Sequence, residues 1–179
     1  MKISVHRWET LIKLVSEYNC KTIVEVGTAR GNNLINITKA FPGSEYKFYA
    51  IDPYLPYPGY DSDSNSIPET IQQNYKYAKK YLFCDNRVEH IKDFSVEAAK
   101  MFDKESVDLI FIDANHKYDF VKEDLEFWFP ILKKGGVFSG HDYSERLFRS
   151  AVKNAVDEFC EERGYKPIIH DDVMWQIIK

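Results

Sequence analysis

Two rhythms of apolar residues take turns along the chain. From about Arg7 to Tyr18, the residues Trp8, Leu11, Ile12, Leu14 and Val15 recur at helical spacing and predict an amphipathic lead-in helix within residues 1–20. "KTIVEVGT" then runs apolar on both faces, as expected of a strand in a parallel sheet covered on both sides. The alternation continues through "GNNLINITKAF" as helix, stopped by Pro42-Gly43, and "KFYAIDPY" as strand. It goes on through a helix over about Glu69 to Phe83, "RVEHIKD" as strand, and "SVEAAKMF" as a short helix with Ser95 as its N-cap. "VDLIFIDA" is the clearest strand. "KYDFVKEDLEFWFPIL" follows as a helix turning Phe120, Val121, Leu125 and Trp128 inward, "KKGG" reads as a turn, and "GVFSGHDY" as a fifth strand. A helix over Glu145 to Arg163 ends at Gly164, and "YKPIIHDDVMWQIIK" reads as a closing hairpin.

Strands that alternate with helices imply a single α/β domain over 1–179 with a mostly parallel sheet between helical layers. The one long stretch without helical or strand pattern, residues 53–68, is rich in Pro, Tyr, Asp and Ser. Loops of that length tend to be functional, and Tyr54, Tyr57 and Tyr60 offer aromatic faces for a substrate lid or for packing.

Composition narrows the class. The 179 residues are 44% apolar and 29% charged, which suits a folded, water-soluble chain. A net charge of −4 argues against a nucleic-acid partner. No apolar run approaches the length of a membrane span and no signal-peptide h-region is visible, so a cytoplasmic protein is expected, without a membrane partner. Cys20, Cys84 and Cys160 are widely spaced and suit buried thiols in a reducing compartment. The aromatic lead-in helix is a surface through which a homodimer could form.

In sheets of this kind ligands sit beyond the carboxyl ends of the strands. Successive strands end there in Glu25 and Gly27, Asp52, Asp93, Asp113 with His116 close behind, and His141 with Asp142. The first turn reads E-x-G-x-x-x-G from Glu25 through Gly31, not the dinucleotide G-x-G-x-x-G. A carboxylate beside that turn repels a pyrophosphate and welcomes a cation, while Asp52 suits the two hydroxyls of a ribose. A cationic nucleoside without phosphate satisfies both, and S-adenosylmethionine (SAM) is such a molecule.

"IVEVGTARGNN", "FYAIDPY" and "DLIFIDANHKYDFVKEDLEFWFPILKKGGVFSGHDY" together resemble the motifs of class I SAM-dependent methyltransferases. The resemblance is to the small-molecule O-methyltransferases of the catechol and macrolide-sugar group. It implies a Rossmann-like three-layer sandwich with a seven-stranded sheet whose last strand is antiparallel. It places Glu25, Gly27, Thr28 and Gly31 at the methionine end of the cofactor, with backbone from Ala29. Asp52 would hold the ribose, Asp93 and Ser95 would sit by the adenine, and Asp113 would face the substrate. In metal-dependent relatives the last position is a Mg²⁺ ligand. Here His141-Asp142 stands where those relatives show two oxygen donors, so a softer divalent ion competes with Mg²⁺ as the expected metal at Asp113, His141 and Asp142. The alternative is no metal, with His141 as a base.

The expected reaction is transfer of a methyl group to a hydroxyl of a sugar, catechol-like or similar small acceptor. His116 is the preferred base and His141 the competing one, with Lys117 or no base as the remaining options, and Asp113 completes the catalytic set. His6, His90 and His170 read as structural. A SAM-binding module or regulatory subunit without catalysis stays open, as does an NAD-dependent oxidoreductase, which Glu25 and the missing third glycine disfavour.

Overall fold

The computed structural model describes residues 6–56, 67–145, 150–170 and 173–179. Seven strands form one sheet: β1 (Thr22–Val26), β2 (Lys47–Ile51), β3 (Val88–Ile91), β4 (Val107–Ile112), β5 (Leu132–Gly140), β6 (Ile168–Ile169) and β7 (Trp175–Ile178). Their order is β3-β2-β1-β4-β5-β7-β6. β1 to β5 pair in parallel, and β7 runs antiparallel to both β5 and β6, so the expected closing hairpin is present. The helices are α1 (Arg7–Glu17), α2 (Asn32–Ala40), α3 (Pro68–Tyr81), α4 (Ser95–Ala99), α5 (Tyr118–Trp128) and α6 (Ser150–Arg163). No helix among the described residues is long and apolar enough to cross a membrane.

The strict alternation of side chains along a strand divides the interior into two cores. Val24 and Val26 of β1, with Ile110 and Ile112 of β4, face one layer, where α5 and α6 contribute Leu125, Trp128 and Phe159. Ile23, Leu109 and Phe111 face the other, against Leu11 and Leu14 of α1 and Leu34 and Ile37 of α2. Glu25 falls in the second rhythm, two residues after Ile23, and is therefore driven into the α1–α2 side with 2% of its surface exposed. β1 lies between β2 and β4, and the chain leaves it in opposite directions on the two sides. This is the switch point at which a crevice opens above the strand ends.

Local departures from the sequence expectation have physical causes. "KKGG" is not a free turn: it is the irregular opening of β5, where Gly135 at φ 77° absorbs a register shift against Val107 and Leu109. Ser95 is the first residue of α4 and Phe94 its N-cap. Phe120 is only half-buried, because it sits on the part of α5 that faces the crevice. Cys20 and Cys160 are buried and Cys84 is exposed, and all three are free thiols. The proposed lid residues Tyr57 and Tyr60 lie outside the described residues, as do residues 146–149 of the expected last helix, while Glu145, its expected first residue, is not helical.

Candidate active site

The end of β1 is shaped by a close approach. Gly27 has φ 89°, and a Cβ there would stand 2.2 Å from the Asp113 carbonyl oxygen. Only glycine lets the first turn press against the end of β4. Just before it, Glu25 Oε1 accepts a 2.7 Å hydrogen bond from the Asn33 amide of α2, while Oε2 is buried without a hydrogen-bond partner. Burial pushes the Glu25 carboxyl up to about 8, against the pull of the Asn33 bond. Thr28 is buried, with its hydroxyl 3.4 Å from the carbonyl oxygens of both Glu25 and Ile51. The Ala29 amide donates to Asp52 Oδ2 at 2.8 Å and the Tyr54 amide donates to Oδ1 at 2.8 Å. Each Asp52 oxygen therefore keeps a lone pair for a ligand. Burial raises its pKa, moderated by those two amides. Tyr54 is buried, with its hydroxyl donating to the Ala29 carbonyl at 2.7 Å, so this tyrosine stiffens the first turn.

The ends of β4 and β5 bring four ionisable groups together. His116 Nε2 lies 3.0 Å from Asp142 Oδ2 and 3.7 Å from Asp113 Oδ1, and His141 Nδ1 lies 3.2 Å from Asp142 Oδ2. Donor atoms of Asp113, His141 and Asp142 fall within 4.8 Å of one another, a spacing that suits a divalent cation. A fifth group arrives from the other end of the chain: the Arg7 guanidinium of α1 is ion-paired with Asp113 Oδ2. Burial alone would raise Asp113 and Asp142. For Asp113, His116 and Arg7 outweigh it, and for Asp142, His116 and His141 do, so both carboxyls are held below the ordinary range. Burial disfavours a charged His116, yet the two carboxylates prevail and lift it to about 10.

On the far side of the crevice, the Trp128 indole N–H donates to Ser95 Oγ at 2.8 Å, and the Ser95 hydroxyl in turn donates to Asp124 Oδ1. The indole can only donate, so the serine proton must point at Asp124. Burial raises Asp124 to about 7 in spite of that bond. Two clefts follow from this arrangement. The larger, about 500 Å³, runs from Gly27 and Asp52 past Asp93 and Ser95 to Phe120 and Asp124. The second, about 420 Å³, is lined by His6, Arg7 and Trp8 together with Glu25, Asp113 and His141. They meet at Gly27, Ala29, Asn74 and Asp113.

Residues 24–143 match the family model described as "Methyltransferase domain". The chain belongs to this methyltransferase family. No curated protein matches it. Among solved structures, it superposes on the O-methyltransferase NovP with TM-score 0.68 at 19% identity, over 97% of this chain and 79% of that one. The SAH-bound methyltransferase PaMTH1 of Podospora anserina gives TM-score 0.68 at 17% identity, over 99% and 80%. An O-methyltransferase from Bacillus cereus in complex with SAH gives 0.63 at 15%, over 99% and 83%. The fold is that of the class I SAM-dependent methyltransferases.

Within the methyltransferase crevice the residues expected from sequence separate into groups. Gly27, Asp52, Asp93, Ser95 and Asp113 line the larger cleft, and Glu25, Thr28, Asp113 and His141 line the second. His116 and Asp142 stand behind Asp113 and line neither cleft directly. Gly31 also lines neither. It caps α2 at φ 76°, and a Cβ there would meet Leu82 Cδ2 at 2.6 Å, so turn conformation and packing both require glycine here. His90 stacks on Phe83 and His170 pairs with Gln176, as structural residues do. His6 differs: it stacks on Trp8 at the mouth of the second cleft. Sequence reasoning missed Arg7, Asn33 and Asp124. Asn33 lay in the quoted glycine turn, eight residues from Glu25, close enough to have been tested as its partner.

Proposed function

We propose that this methyltransferase moves the methyl group of SAM onto a hydroxyl of a small acceptor such as a sugar or a catechol-like ring. The observation that carries the reading is the buried Glu25 Oε2, an acceptor without a partner at the wall of the second cleft. A buried unpaired oxygen is costly, and an ammonium group relieves it. When bound, SAM supplies a methyl carbon activated by its sulfonium. Glu25 holds the ammonium, with Thr28 and the Ala29 backbone beside it, and Asp52 uses its spare lone pairs on the ribose. Asp93 and Ser95 flank the adenine in the larger cleft.

The acceptor enters the second cleft against the stacked His6–Trp8 pair, whose rings are 4.0 Å apart. An aromatic face of that kind suits a planar or sugar ring. Asp113, His141 and Asp142 would hold a divalent ion, which would supply Lewis-acid polarisation of the acceptor oxygen. Holding donor and acceptor in line is worth up to ~7–11 kcal/mol in favourable systems. His116 is the base in this reading, with His141 the alternative. At about 10 it is protonated near neutrality. It becomes a proton acceptor only when another cation engages Asp113 and Asp142, because those carboxylates are what keep its proton on.

Calorimetric titration with SAH and NADH tests the cofactor, and transfer of labelled methyl from SAM to a hydroxyl panel tests the reaction. SAH binding without NADH binding is expected, with transfer that falls at least ~10²-fold in His116→Asn while SAH affinity persists. Preferential NADH binding, or SAH binding with no acceptor methylated, overturns the reading.

A further inference from the structure

The ion pair between Arg7 and Asp113 joins residues 106 positions apart. It sets the side chain that opens α1 on an oxygen of the candidate cation site. The Asp113 side chain is 13% exposed and that of Arg7 37%, so the guanidinium covers the carboxylate from the solvent side. Arg7, Asp113 and His141 line the same cleft, and of the ion pair Arg7 is the more exposed member. We propose that Arg7 is an internal cation that occupies Asp113 until a divalent ion displaces it, so that α1 gates the metal site.

The rest of α1 lets the gate move. Thr10, Leu11, Leu14 and Val15 are buried, and Leu11, Leu14 and Val15 share a core with α2. The helix body is thus anchored while the first turn stands over the cleft. The helix start is held by contacts that do not involve Arg7's side chain, since the His6 amide donates to the Glu9 carboxylate Oε2 at 3.2 Å and the Glu9 amide donates to the His6 carbonyl at 2.9 Å. Arg7 can therefore release Asp113 by rotating its side chain, without unwinding α1. The exchange needs no proton from Arg7, because a guanidinium stays charged throughout: its N–H···O contact to Asp113 breaks and the freed carboxylate oxygen would be held by the ion. A gate of this type also repels cations from the open cleft until one outcompetes it, which favours divalent over monovalent ions.

The proposal rests on the reading of Asp113, His141 and Asp142 as cation ligands. Its test is Mn²⁺ affinity, read by the paramagnetic signal of free Mn²⁺ at low salt, for the wild-type chain, Arg7→Met, Arg7→Lys and Asp142→Asn. Met keeps the apolar stem, and melting curves confirm that each variant is folded. Arg7→Met is expected to bind Mn²⁺ roughly tenfold tighter than wild type or more, Arg7→Lys to fall between, and Asp142→Asn to lose the site. Equal or weaker Mn²⁺ binding by a folded Arg7→Met, or no Mn²⁺ binding by any variant, overturns the gate. SAH binding is measured on the same samples. Its absence with the Mn²⁺ shift intact would overturn the donor assignment and support the gate on its own.

Discussion

Replacing Glu25 by Gln removes a titration from the interior while keeping the shape of the side chain and an acceptor for Asn33. Burial raises the folded Glu25 pKa from 4.5 to about 8. Between those limits the folded protein holds a proton that the unfolded chain has lost. The stabilisation it contributes is complete below about 4.5, fades as pH rises, and is gone above about 8. The slope is about 1.4 kcal/mol per pH unit. From pH 5.5 to 7.5 the wild-type chain should therefore lose about 3 kcal/mol relative to Glu25→Gln. Urea unfolding of both proteins across that range measures the difference and cancels groups they share, Asp124 included. The same proton is needed by the cofactor site: an ammonium on Oε2 requires the carboxylate, so SAH binding near pH 7 should release close to one proton. Calorimetry in buffers of different ionisation enthalpy reads that number. Parallel stability curves for the two proteins, or binding without proton release, would refute the assignment of Glu25 as a buried, protonated carboxyl waiting for a cation.

Two further outcomes follow from the crevice walls. Gly27→Ala places a methyl 2.2 Å from the Asp113 carbonyl oxygen at a φ of 89°; a loss on the order of 2–4 kcal/mol and of SAH binding is expected, read by urea midpoint and titration. Ser95→Ala leaves the buried Trp128 N–H without its acceptor and Asp124 without its donor. It should cost about 1–3 kcal/mol and raise Asp124 above its present value of about 7, visible as a steeper fall of stability through neutral pH.

The order of strands and helices was legible because each element carries its own period. β1, β4 and β5 are apolar on both faces, and α1 and α5 bury one stripe each. The rim was legible for a different reason. Parallel strands all end on the same side, so Glu25, Asp52, Asp113 and His141 had to share one edge whatever the register. The packing role of Gly31 was not legible, because a glycine in a turn announces only that the backbone needs it. Whether the need is a ligand or Leu82 depends on α3 and the chain after it, some fifty residues away. The start of β5 misled because "KKGG" has turn composition, while its pairing to β4 is decided by the neighbouring strand.

Acidic residues at strand ends are not sites in themselves, and Asp108 shows the difference. It stands near the opposite end of β4, where one oxygen accepts the Lys21 and Thr22 amides at 2.9 and 2.8 Å and the other takes Lys133 at 2.7 Å. Those donors lower its pKa against the effect of burial and leave it nothing to do but tie β1 to β5. Glu25, by contrast, has one local donor for two buried oxygens. Asp113 draws its charge partners from His116, three residues on, and from Arg7, at the start of the chain. A carboxylate satisfied by its immediate backbone is architecture. One that is buried short of donors, or that borrows a guanidinium from a distant helix, retains an unspent affinity for cations. That distinction is invisible in sequence, because it depends on how many donors the fold delivers to each oxygen, and it is the physical ground on which we propose a positively charged donor and a divalent ion for the crevice above β1 and β4.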